Sequence, residues 1–197
     1  NVYGRLLGAE GGYGNEYRLN EGDIIATEVS LTGLKEGGLV AVWVQKDERI
    51  TLNSSEIYAR MFDQGGLPLG GGQRVNTFLR GVQEHPVVAE LTGSIMLNWD
   101  SSGQDAGGVG VNGRMFDGGA EFRVNSQQNM DQSMPALAAD GLNTFLAVWV
   151  NTIRFDHSII SAQRFMVSDS SVLSDVLDVT AGVVEVSGEV LTQRQTN

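Results

Sequence analysis

The chain has 197 residues, with 24 Asp and Glu against 13 Lys and Arg, for a formal net charge of -11. That balance excludes a phosphate-binding basic stripe and so argues against nucleic acid, and equally against an anionic membrane surface. The 26 glycines suit many tight turns and disfavour a helix-rich fold, and the absence of cysteine removes disulfides, thiolate zinc sites and cysteine nucleophiles together.

From the N-terminus, Val2 to Leu7 reads as a β-strand, and Leu39-Val-Ala-Val-Trp43 as another. The second pattern returns as Ser94-Ile-Met-Leu-Asn-Trp99 and Phe145-Leu-Ala-Val-Trp149, with tryptophan spacings of 56 and 50. Arg5, Arg60, Arg114 and Arg164 close a second series, stepping by 55, 54 and 50. A third series ends in Arg18-Leu-Asn20, Arg74-Val-Asn76, Arg123-Val-Asn125 and Asp178-Val-Thr180. Ser30, Pro86 and Pro135 follow ten residues after each Asn. The three series keep one order and one phase, which identifies a tandem repeat of about 50 to 55 residues.

Each repeat holds four apolar runs. In the third these are Met134 to Ala138, Phe145 to Val150, Ile159 to Phe165 and Val172 to Val179, separated by Gly, Asp, Asn and Ser. No segment shows a capped 3.6-residue apolar stripe, and Ser168 to Val179 reads equally well as turn plus strand. Four strands in such a length suit the blade of a β-propeller, so the expected fold is all-β and propeller-like. It comprises a partial unit over 1–20, units over 21–76, 77–125 and 126–180, and a partial unit over 181–197. The first partial unit opens on a third strand and the last stops near a first strand, Ser187 to Gln193. Either the two ends complete one shared blade or the chain belongs to a longer array. The repeated tryptophan is expected to fill the space between adjacent sheets.

The residues Trp99-Asp-Ser-Ser-Gly-Gln-Asp105, Gly110-Val-Asn-Gly-Arg114, Phe116-Asp117, Glu121-Phe122, Val124-Asn125, Asp131-Gln132-Ser133 and Pro135 resemble one unit of a bacterial tandem-repeat family. Its units read W-x-S-x-G-Q-D, G-x-R-x-D-x-x-G, E-F-x-V-N and D-Q-x-x-P. The resemblance is close over residues 99–149 and looser elsewhere: Ser30 stands for the Pro, Ala26-Thr27 for Asp-Gln, and Asp178-Val-Thr180 for the Val-Asn ending. It implies a propeller-like protein that is secreted or attached to the cell surface, in the company of adhesin-type and calcium-binding modules.

Residues that recur in every repeat are most simply structural: the arginines pair with turn carbonyls or carboxylates, and the asparagines close turns. Candidate chemistry therefore falls in the loops that differ, 45–56, 100–110 and 151–158. Asp100 and Asp105 are the candidate calcium ligands, because calcium takes oxygen donors from Asp-rich loops, although Asp and Gly also fill loops for conformational reasons. Phe155, Asp156 and His157 form the candidate ligand-binding cluster, Phe155 offering a ring to stack on a sugar. His85, before Pro86 and in line with Val29 and Met134, reads as a packing or rim residue. No zinc spacing, nucleophile elbow, phosphate loop or zincin motif occurs, the Gly70-Gly-Gly72 run falls at a turn, and the 24 acids single out no catalytic pair. The expectation is a non-enzymatic extracellular adhesion module that binds a glycan or surface macromolecule without nucleic acid or membrane insertion. The alternatives are a structural subunit that self-assembles through its terminal repeats and, third, a propeller hydrolase or lyase.

Overall fold

The computed structural model describes residues 1–46, 54–106, 108–154, 156–168, 171–180 and 183–187. They form fifteen strands and no helix, arranged in antiparallel sheets. The first sheet is a hairpin of β1 (Tyr3–Leu7) and β2 (Tyr13–Arg18). The second runs β3 (Ile25–Gly33), β4 (Leu39–Lys46), β5 (Glu56–Phe62) and β6 (Gln73–Arg74) in sequential order. The third repeats that order with β7 (Gln83–Leu91), β8 (Ser94–Asp105), β9 (Gly108–Met115) and β10 (Phe122–Arg123). The fourth contains β11 (Gln132–Ala139), β12 (Thr144–Arg154), β13 (His157–Ser168), β14 (Ser171–Thr180) and β15 (Val183–Ser187).

Sequential four-stranded sheets stacked face to face are the blades of a β-propeller-like fold. Alternation sets the stacking, since successive side chains of a strand point to opposite faces. In β4, Ala41 and Trp43 turn to one face and join Val2, Leu19 and Phe62 in a core between the first and second sheets. On the other face, Val40, Val42 and Val44 pack with Ile57 and Ala59 against Leu97 and Trp99 of the third sheet. Met96, Val111 and Met115 of the third sheet then meet Phe145, Ala147, Trp149 and Phe165 of the fourth. Each tryptophan thus fills the gap between its own sheet and the preceding one.

The repeated polar residues fasten this stack. Asn20, Asn76 and Asn125, all buried, accept from the backbone N–H of Val2, Ile57 and Val111 respectively, each at 2.8 Å. Leu19, Val75 and Val124 return N–H bonds to the carbonyls of the same three residues. Arg60 and Arg114 reach across to the previous sheet, donating Nη1 to the carbonyls of Leu19 (3.2 Å) and Val75 (2.8 Å).

In three places the structure departs from the expectation. The loop expected over 100–110 is mostly ladder, because Ser101 pairs with Gly110, Ser102 with Val109 and Asp105 with Gly108. Backbone bonds build the ladder, so polar side chains do not end it. Second, Trp149 faces Ser161 as Trp43 faces Tyr58 and Trp99 faces Asn112. That register places Gln163, not Arg164, at the position of Arg60 and Arg114. Arg164 lies one residue on and hence on the opposite face. Third, Val183–Ser187 pairs with β14 as a fifth strand of the last sheet, while most of the first strand expected at Ser187 to Gln193 lies outside the described residues.

Candidate functional site

The first strand of each four-stranded unit carries the same irregularity. The pairing of β3 slips between Thr27 and Ser30, of β7 between Glu84 and Val87, and of β11 between Ser133 and Ala136. Each slip is a two-residue bulge: Glu28-Val29, His85-Pro86 and Met134-Pro135. Glu28, His85 and Met134 hold φ of 52°, 50° and 55°, a left-handed conformation that costs an L-residue about 1–2 kcal/mol. Proline tolerates a bulge because it has no N–H to give the ladder. The counterpart of His85 in the second sheet is therefore Glu28, not Val29.

The three first strands are neighbours, β7 lying between β3 and β11. Their bulges converge on a cleft of about 320 Å³ lined by Glu28, Val29, Ser30, His85, Pro86, Val87, Met134 and Pro135. Most of that lining is apolar, with Glu28, Ser30 and His85 as its polar members. The Glu28 carboxylate accepts the His85 backbone N–H at 2.7 Å. The His85 ring Nδ1 lies 2.7 Å from Asp100 Oδ2, which also accepts the Met134 backbone N–H at 3.1 Å. One polar chain thus joins the second, third and fourth sheets. Beside it, Glu84 lies 3.9 Å from the Lys46 ammonium.

Asp100 is 4 % exposed, and its Oδ1 has no partner among the described residues. Burial raises its pKa to about 6, the Glu84 charge adds to the rise, and the Met134 N–H and His85 offset part of it. Burial opposes charge on the half-exposed His85 ring, but the hydrogen bond and charge of Asp100, with Glu28 and Glu84, outweigh it and raise its pKa above 6.5. The site therefore offers the Glu28 carboxyl group, an imidazole that keeps its charged form to higher pH than usual and a buried carboxyl that holds its proton up to about pH 6.

The sequence candidates scatter around this cleft. Asp100 and Asp105 both lie on β8, not in a loop, and take different partners. Asp105 is buried and accepts from Asn125 Nδ2 at 2.9 Å, while Asp100 serves His85 and Met134. Among the described residues no group of three or more His, Asp or Glu is placed to hold a metal ion. Phe155 lies outside the described residues. Asp156 and His157 sit exposed at the β12–β13 turn, where Asp156 lies 3.7 Å from Arg154. Sequence reasoning missed Glu28 altogether and read His85 as a packing or rim residue. The one linear signal was the pair of X-Pro dipeptides on otherwise regular first strands.

No family model matches the sequence, and no curated protein does. Among solved structures, the chain is similar to the crystal structure of alpha-L-arabinofuranosidase from Lactobacillus brevis, at 18% identity and a TM-score of 0.51. That alignment covers 80% of this chain and 57% of the other. It is also similar to endo-arabinase from Bacteroides thetaiotaomicron VPI-5482, at 13% identity and a TM-score of 0.53, covering 82% of this chain and 64% of that one. The likeness is one of fold. The chain spans about three-fifths of the length of these two proteins.

Proposed function

We propose that this chain is an extracellular carbohydrate-binding module that holds a sugar in the cleft where the three bulges meet. The observation that carries the reading is the composition of that cleft: the Glu28 carboxylate and the His85 ring share its lining with the apolar Val29, Pro86, Val87, Met134 and Pro135. A pyranose or furanose has the matching surfaces, hydroxyls that donate to carboxylates and a C–H face that rests on apolar side chains. The cleft lies at the small end of small-ligand sites, which suits one or two sugar residues. Both similar structures bear the names of arabinose-releasing or arabinan-cleaving enzymes, which supports a glycan over a protein ligand.

The test is a glycan array followed by calorimetry on the hits, arabino-oligosaccharides included. Glu28→Gln and His85→Ala are expected to weaken binding at least ~10-fold while circular dichroism stays unchanged. Equal affinity in both variants, or no oligosaccharide bound, overturns the cleft as the site. A second reading, hydrolysis, draws on Asp100, whose raised pKa suits a proton donor behind His85, with Glu28 as the second carboxyl group. Release of reducing ends that disappears in Asp100→Asn is the result that would establish it.

A further inference from the structure

Charge is unevenly placed around the cleft. Glu28 is the carboxylate in its lining, and its exposed side chain stands on the left-handed residue of the β3 bulge. One of its oxygens accepts the His85 backbone N–H at 2.7 Å, which anchors the group. The other oxygen has no hydrogen bond or ion pair among the described residues. The remaining lining is Ser30, the His85 ring and the apolar Val29, Pro86, Val87, Met134 and Pro135.

Three carboxylates surround the half-exposed His85 ring. Asp100 meets it at 2.7 Å, and Glu28 and Glu84 act on it through space. A protonated His85 answers Asp100, and the Lys46 ammonium lies 3.9 Å from Glu84. Glu28 pairs with no cation among the described residues. A charge beside apolar surface is felt more strongly than one in open water, because the local dielectric is lower. The net charge of -11 adds a field that draws cations and repels anions.

We propose that the cleft selects an amine-bearing sugar, its ammonium seated on the free oxygen of Glu28 and its C–H face on Pro86, Val87 and Pro135. The amine preference rests on the reading of the cleft as a sugar site and adds the class of sugar to it. An ammonium gives Glu28 a charge-assisted hydrogen bond, roughly twice as strong as a neutral one. A neutral sugar fills the same space with hydroxyls and binds more weakly. A uronic acid brings its own carboxylate against Glu28 and the field of Glu84, and is rejected.

The test is calorimetry on the full chain with tetramers of glucosamine, glucose in the same linkage, arabinose and galacturonate. A slightly acidic buffer keeps the sugar amine charged. The glucosamine tetramer is expected to bind at one site per chain, at least ~10-fold more tightly than the glucose tetramer. That margin should shrink as salt is raised, and galacturonate should bind weakest. Glu28→Gln keeps an acceptor for the His85 N–H but removes the charge, and should erase the margin. Glu84→Gln, outside the lining, should reduce it about 2–3-fold. Glu36→Gln makes the same change of net charge at the exposed β3–β4 turn, away from the bulge, and should leave it intact. Circular dichroism verifies that all three variants fold. Equal affinity for the glucosamine and glucose tetramers, or tighter binding of galacturonate, overturns the amine preference and leaves the sugar site standing. A margin that falls equally in Glu28→Gln and Glu36→Gln also overturns it, since the attraction then belongs to the net charge. If no tetramer binds, the amine preference and the sugar site fall together.

Discussion

Asn20, Asn76 and Asn125 each accept a backbone N–H at the start of a third strand, at 2.8 Å. Removing one side chain leaves that donor without a partner, so Asn76→Ala should cost about 1–3 kcal/mol in urea unfolding. Asn125→Ala should cost more, because its amide bonds the buried side chains of Asp105 at 2.9 Å and Gln132 at 3.0 Å, whereas that of Asn76 bonds the half-buried Glu56 and the Phe78 carbonyl. The Asp100–His85 pair sets a pH dependence. Both groups bind their protons more tightly in the fold than in the unfolded chain, so the folded state is favoured where they are protonated. Melting temperature should therefore fall as pH rises from about 4 to about 6 through Asp100, with His85 extending the decline above 6.5. Asp100→Asn should flatten the lower part of that slope. The recurrence of Asn and Arg was plain in the sequence, but not the partners, since those come from other strands and other sheets. The fourth arginine shows the limit. A spacing of 50 instead of 49 looks trivial in a repeat, yet with a period of two it moves Arg164 to the opposite face and gives its place to Gln163.

Turn chemistry governs the elements. Gly38, at the β3–β4 turn, has φ of 88°, and a Cβ there would lie 2.2 Å from the Phe62 carbonyl oxygen. Gly93, in the β7–β8 hairpin, has φ of 70° but open space around it. Gly93→Ala should thus cost about 1–2 kcal/mol for the left-handed backbone alone. Gly38→Ala should cost clearly more, because backbone must also move. Thermal unfolding of the two variants side by side checks the difference. Strand positions were legible from the apolar alternation, whereas strand ends were not. Asp100, Ser101 and Asp105 read as loop because they are polar, yet the ladder continues beneath them. The bulges were equally hidden, for a positive φ at Glu28, His85 or Met134 leaves no mark in residue type beyond the prolines after two of them.

The molecule as a whole is held by the cores between its sheets. Trp99 is fully buried between the second and third sheets, and its indole donates to Gln83 at 3.2 Å. Trp99→Ala should lower unfolding free energy by about 3–5 kcal/mol. The exposed Leu67→Ala control should stay within about 0.5 kcal/mol, both followed by circular dichroism in urea. By itself the sequence determined the all-β class and the four-stranded units, because alternation, glycine turns and a recurring tryptophan are local signals that repeat along the chain. Only the tertiary structure decided where function could sit. The cleft takes Glu28, His85 and Met134 from three sheets and across 106 positions of chain. Their meeting depends on bulge geometry and sheet stacking, neither of which any linear spacing encodes.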